Sequence, residues 1–229
     1  MVRLPEIEVD EPKSYRLVSS RYPTIALFED VASAEDFEDL YALQAMTNPR
    51  LLTQAGDLNL VPREEIPFGI TGCSYAMASF THVNPEGSRF SDGTFGVLYL
   101  ADSMETAIRE ISYHQNRYLS GVEGLKYDRL VFRGLRCAFG GSLSDATGLD
   151  EDDPIYAPDD YSHSRALGLS LRKRGGEGLK YRSVRNAGAL CWALFTPKGV
   201  RRVVQAAHYE FIWDGEAISS INKISLQHS

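Results

Sequence analysis

Cysteine is scarce in this chain and poorly spaced for any staple. The three cysteines, Cys73, Cys137 and Cys191, are odd in number and far apart in sequence. That argues against a disulfide framework and a cysteine-built zinc site. The five histidines, at 82, 114, 163, 208 and 228, include no His-Glu-x-x-His pair, so no metal site is expected. Gly175-Gly176-Glu177-Gly178 is rich in glycine, but it lacks the Gly-Lys-Ser/Thr ending of a phosphate loop and leads into a strand pattern. No Gly-x-Ser-x-Gly nucleophile elbow occurs. No run approaches the roughly 18 apolar residues of a membrane span, and the N-terminus has no apolar signal core. Basic excess is missing too: 24 Lys and Arg face 31 Asp and Glu, for a net charge of -7. Broad electrostatic binding of nucleic acid needs the opposite balance. A reduced, cytoplasmic, soluble protein is the expectation.

What remains is an ordinary globular composition, 43% hydrophobic and 24% charged over 229 residues, enough for one domain with a full core. The acid- and proline-rich start, 1–13, reads as an irregular arm. A first strand is expected over 15–18. Ser33 caps an expected helix to about Met46, with Phe37, Leu40 and Tyr41 at helical spacing. The stretch 47–94, broken by Pro49, Pro62, Pro67 and Pro85, reads as a loop-rich insertion with short elements. A strand over 95–100 alternates Val97 and Tyr99 against Leu98 and Leu100. The next helix is assigned to an Asp102 cap with Glu105 completing a capping box, and Met104, Ala107, Ile108 and Ile111 form its stripe. Glu110 falls on the flank of that stripe, with His114 one turn further along. Further strands are expected over 130–132, 136–139, 179–184, 189–195, 202–206 and 208–213. The residues 147–158 form an acidic loop. A helix over 161–174 carries Ala166, Leu167 and Leu171 as its apolar face and stops at Gly175-Gly176. Helices interrupt strands without regular alternation, so the fold class is α+β.

Three islands carry the chemistry. They are Gly-Ser-Arg-Phe at 87–90, Leu-Tyr-Leu-Ala at 98–101 followed by the helix with Glu110, and Lys-Tyr-Arg-Ser-Val-Arg at 180–185. Read singly, Arg89 also fits a turn arginine, Tyr99 a core aromatic, Glu110 a surface helix pair and Ser183 a strand-end hydroxyl. As a set, they combine a forked cation, an aromatic, a carboxylate and a hydroxyl.

Their order and spacing, 99 − 89 = 10 and 110 − 99 = 11, resemble the RES-domain family, the toxin half of RES–Xre toxin–antitoxin pairs. Tyr181-Arg182-Ser183-Val184-Arg185 is similar to that family's serine segment, and Tyr15-Arg16-Leu17 to its opening strand. The resemblance implies a single domain with mixed sheets flanked by helices, similar to ADP-ribosyltransferases. It implies cleavage of the nicotinamide–ribose bond of NAD, with NAD as substrate and no cofactor. Arg89, Tyr99, Glu110 and Ser183 would be catalytic. Arg16 and Arg185 would be further phosphate ligands, and His114 a supporting residue. The partner would be an Xre-type helix-turn-helix antitoxin in a hetero-oligomer, and DNA binding would belong to that partner. Arg182 stands where the family usually has proline, and Asn186 where it often has aspartate. Water, inorganic phosphate or a protein side chain could each accept the ADP-ribosyl group. A rival reading makes the chain a non-catalytic interaction module.

Overall fold

The computed structural model describes residues 3–21, 35–36 and 56–225. Most of the helix expected over 33–46, and the 47–55 part of the insertion, lie outside these residues; Glu35 and Asp36 are helical. The described residues build an α+β arrangement of one eight-stranded sheet and three α-helices. The strands are β1 (Glu6–Asp10), β2 (Ser14–Ser19), β3 (Leu98–Ala101), β4 (Asp128–Asp145), β5 (Gly178–Arg182), β6 (Leu190–Leu194), β7 (Val200–Trp213) and β8 (Ile218–Ile224). The helices are α1 (Cys73–Thr81), α2 (Met104–Ser120) and α3 (Ser162–Lys173).

The sheet runs β2-β3-β6-β5-β4-β7-β8, and β4 also pairs with β1 and β2. All pairings are antiparallel except β4 with β5. Because β2 bonds both β3 and β4, the pairings close a circuit through β3, β6 and β5. The β2–β3 link is a single pair, Tyr15 with Ala101. Beyond it, the Tyr99 carbonyl receives an Arg16 guanidinium N–H at 3.2 Å in place of a ladder partner.

Strand alternation divides the core in two. Leu98, Leu100, Leu135, Cys137, Trp192 and Leu194 face a cluster covered by α1. Ala101, Leu130, Phe132, Leu179, Tyr181 and Cys191 face a second cluster, under α2 and α3. In β7, Val203 belongs to the first and Phe211 and Trp213 to the second. The register shift opposite Gly134/Leu135 inserts one residue, which flips the side-chain parity.

Several expectations need correction. The N-terminal arm is strand β1, antiparallel to β4, because Ile7 and Val9 turn inward between the acids Glu6, Glu8 and Asp10. Within the insertion lies the helix α1, which buries Cys73, Ala76, Met77 and Phe80; its outer residues, Ser74, Tyr75, Ala78 and Ser79, form no charged stripe to mark it. The cap of α2 is Ser103, whose Oγ accepts the Thr106 N–H, and Asp102 has other partners. On α3 the buried residues are Ser164, Gly168 and Leu171, while Ala166 is exposed. A Cβ at Gly168 would stand 2.0 Å from the Phe90 carbonyl oxygen, so only glycine allows this approach. Strands expected in pairs over 130–139 and 202–213 are the continuous β4 and β7, and the unexpected β8 follows. The stop at Gly175 holds: Gly175 and Gly176 N–H groups return to the Arg172 and Leu171 carbonyls. Among the described residues no helix is long and apolar enough to cross a membrane.

Candidate active site

The α2 helix carries Thr106, Glu110 and His114 at intervals of four, which aligns them along one face. The turn between β5 and β6 lies against that face. Ser183, only 7% exposed, donates its hydroxyl proton to Glu110 Oε1 at 2.6 Å. The Ser183 Oγ in turn accepts the N–H groups of Arg185 and Asn186, at 3.2 and 3.0 Å. The contact spans 73 residues of sequence, and it joins two of the three islands directly.

The third island is tied in through Tyr99. Its hydroxyl accepts the Phe90 N–H at 2.9 Å and pairs with Ser88 Oγ at 2.7 Å, so it clasps the turn on both sides of Arg89. Burial raises the phenol to about 12, against the lowering effects of Ser88, the Phe90 N–H and Arg89. From the other side Arg165 donates to the Ser88 and Glu86 carbonyls, at 3.0 and 2.8 Å. Arg89 itself lies 4.4 Å over the Tyr161 ring, and one of its nitrogens donates to the Ile155 and Ala157 carbonyls, at 3.2 and 3.0 Å.

The segment 155–159 is thus strapped across the site by several residues. Arg185 donates to the Pro158 carbonyl and lies 3.3 Å over the Tyr113 ring, and Tyr113 donates to Asp159. Arg182, in the usual proline position of the serine segment, donates to the Leu149 carbonyl and covers the Tyr156 ring at 4.9 Å. The departure therefore fastens the 147–158 loop to β5. His114 stands at the rim with its side chain open to solvent on one side, and partial desolvation by the surrounding atoms, then the guanidiniums of Arg185, Arg89 and Arg117, lower its pKa. Beneath the site burial, with the nearby Glu110 carboxylate as a lesser cause, raises the Tyr181 phenol and the Cys191 thiol.

These shared partners bring Arg89, Tyr99, Glu110, Ser183, Arg185 and His114 into one cluster. Arg16 is placed differently. Its neighbours Tyr15 and Leu17 pack with the second core and Val18 with the first, so alternation puts the Arg16 side chain on the face away from Glu110. Burial lowers its pKa. A separate groove of about 540 Å³ lies between the end of α2 and the β7–β8 turn, against Trp213 and Leu125. None of the six clustered residues lines it, and the convergent charges that chemistry requires are at Glu110. Among the described residues no cluster of His, Cys, Asp or Glu is arranged to hold a metal.

A family model described as the RES domain matches residues 66–214. The chain belongs to the RES domain family. Arg89, Tyr99, Glu110 and Ser183 all fall inside the matched span, and Arg16 falls before it. The RES chain is 30% identical over 206 residues to a protein described as uncharacterized protein y4oC of Sinorhizobium fredii strain NGR234, covering 90% of this chain and 84% of that one. It can also be superposed on a chain of the Mycobacterium tuberculosis MbcT–MbcA toxin–antitoxin complex, at TM-score 0.44 and 14% identity over 87% of this chain and 86% of that one.

Sequence reasoning did not single out Thr106 and noted Asn186 only as a departure from the RES pattern; their side chains meet at 2.9 Å beside Ser183. The available signal was spacing: Thr106 precedes Glu110 by one helical turn, and Asn186 follows Ser183 by three residues.

Proposed function

We propose that this RES protein is a toxin that depletes NAD by cleaving the nicotinamide–ribose bond, without a metal. The observation carrying the reading is the 2.6 Å Ser183–Glu110 hydrogen bond, set in a cluster with two arginines. As the bond from ribose C1′ to the nicotinamide nitrogen breaks, its electron pair leaves with nicotinamide and positive charge develops on the ribose. Glu110, oriented by Ser183, stabilises that charge and binds ribose hydroxyls. Arg89 and Arg185 hold the diphosphate, with free guanidinium N–H groups beyond those given to loop carbonyls. Tyr99 fixes the turn that aims Arg89, through the Phe90 N–H and Ser88 Oγ. Water adding at C1′ gives ADP-ribose and a released proton; phosphate adding there gives ADP-ribose phosphate. Hydrolysis or phosphorolysis is favoured over transfer to a protein. The resemblance to RES–Xre pairs supports a cytoplasmic role and an Xre-type helix-turn-helix antitoxin as partner; DNA binding would belong to that partner, in keeping with the net charge of -7 here.

The test is incubation of purified, antitoxin-free protein with NAD, with and without phosphate, following nicotinamide and product mass. Glu110→Gln should fold normally and lose roughly a hundredfold or more in turnover. Near-normal turnover by that variant would remove Glu110 from the mechanism. An absence of nicotinamide from the wild type would favour the interaction-module reading.

A further inference from the structure

The turn that carries Ser183 leaves β5 after Arg182 and rejoins the sheet as β6 at Leu190. It docks on α2 at two points one helical turn apart. Ser183 meets Glu110 at 2.6 Å, and Asn186 Nδ2 meets Thr106 Oγ1 at 2.9 Å. Residues four apart on a helix project from the same face, so the two contacts act as parallel rungs between helix and turn. A third attachment fixes the far end. Asp102 Oδ2 accepts the Leu190 N–H at 2.7 Å, and the Asp102 N–H donates to the Leu190 carbonyl at 3.0 Å.

Counting protons sets the direction of every bond. Ser183 Oγ already accepts two backbone N–H groups, so its own proton goes to Glu110. Thr106 Oγ1 stands 2.8 Å from Asp102 Oδ1, and a carboxylate only accepts, so the single threonine proton is committed there. Thr106 Oγ1 can then only accept from its remaining neighbours, Ser103 Oγ at 2.8 Å and Asn186. The group at 186 must therefore be a donor. An aspartate there would leave two carboxylates facing one hydroxyl with one proton between them. Thr106 is fully buried, which makes such a mismatch expensive to solvate.

We propose that Asp102, Thr106 and Asn186 are positioning residues for the reaction, holding the turn on α2 so that the Ser183 hydroxyl reaches Glu110, and that position 186 requires a donor. The inference rests on the NAD-cleaving reading of Glu110 and Ser183. The test compares wild type, Thr106→Ser, Thr106→Val, Asn186→Ala and Asn186→Asp. Three measurements are made: kcat and KM for nicotinamide release, hydrogen exchange of the Arg185 and Asn186 amides that end on Ser183 Oγ, and thermal melting. Thr106→Val and Asn186→Ala should lower kcat about tenfold or more with KM within about twofold, and Asn186→Asp should lose most. Thr106→Ser keeps the hydroxyl and should retain kcat within about twofold. Exchange of the two amides should quicken in the same order. If the buried threonine variant does not fold, the two variants at half-buried Asn186 carry the test. Wild-type kcat and wild-type amide protection in Asn186→Ala and Asn186→Asp would overturn the proposal. A wild type that releases no nicotinamide would sink the NAD reading alone. The exchange measurement would then decide the positioning, with unchanged protection overturning it and selective loss supporting it.

Discussion

Replacing Tyr99 by phenylalanine removes one oxygen and tests whether the phenol acts by holding Arg89. The ring would remain, 6.5 Å from the stacked Phe90 ring, so little packing is lost. The Phe90 N–H would lose its acceptor at 2.9 Å, and Ser88 Oγ would lose its partner at 2.7 Å. Phe90 is fully buried, so water cannot readily replace the lost bond. A buried donor left unpaired costs about 1–3 kcal/mol. For a chain of this size that corresponds to a fall of about 2–12 °C in Tm. Turnover of NAD should fall as well, because the same turn carries Arg89. Since the phenol titrates only near about 12, both losses should be the same at all pH values between about 6 and about 9. Thermal melting by circular dichroism and nicotinamide release check the two arms. A Tm within about 1 °C of wild type, or a loss confined to alkaline pH, would refute the reasoning.

The glycine at 168 offers a second probe of the same turn. Gly168→Ala puts a methyl 2.0 Å from the Phe90 carbonyl oxygen and should cost about 1–3 kcal/mol by overpacking, read as a lower Tm. The lowered pKa of His114 has a definite sign. Below about 6.5 the unfolded chain binds this proton more readily, so stability contributed by neutral His114 is present above that pH and is lost as pH falls towards the folded value. His114→Gln should therefore lose less Tm than wild type on acidification, and equal losses would clear His114. The three cysteines are all buried, and burial raises the Cys137 thiol to about 12 and pushes the Cys191 thiol up. Mass spectrometry should find native protein unmodified by iodoacetamide near neutral pH and all three sites alkylated in guanidinium.

Elements with a local signature were legible in the sequence. The α2 stripe, the α3 stop at Gly175 and the alternation of Val97 and Tyr99 against Leu98 and Leu100 follow from side-chain period and cap chemistry, and they appear where expected. What failed depends on partners far along the chain. The β1 strand looks like an acidic arm until β4 supplies its register. The α1 helix buries one stripe, Cys73, Ala76, Met77 and Phe80, but its outer face of Ser74, Tyr75, Ala78 and Ser79 carries no charge, so the amphipathic contrast is weak. Gly134, Gly140 and Gly141 look like breaks in β4, yet the strand runs through them because β7 and β2 pair on either side of Gly134 and β1 pairs with Gly140 and Gly141. Ser103 took the capping role from Asp102 because Asp102 was needed by Leu190, 88 residues away. The meeting of Glu110 and Ser183 was implied only by resemblance to the RES family. No local pattern encodes a contact across 73 residues.

The order in which this sheet can be completed has a consequence for synthesis. The buried hydroxyl of Ser14 hydrogen-bonds the Cys137 carbonyl, 123 residues later, and β5 has its antiparallel partner only once β6 has been made. Domains emerge from the ribosome at about 5–20 residues per second and fold as units. The first strands must therefore wait several seconds for β4. The turn that brings Ser183 to Glu110 is closed later still, by the Ser183 N–H to the Ala189 carbonyl. A nascent chain halted before β6 would carry Arg89, Tyr99 and Glu110 without their geometry. The finished site can thus arise only once the chain has been made through Leu190, at the start of β6.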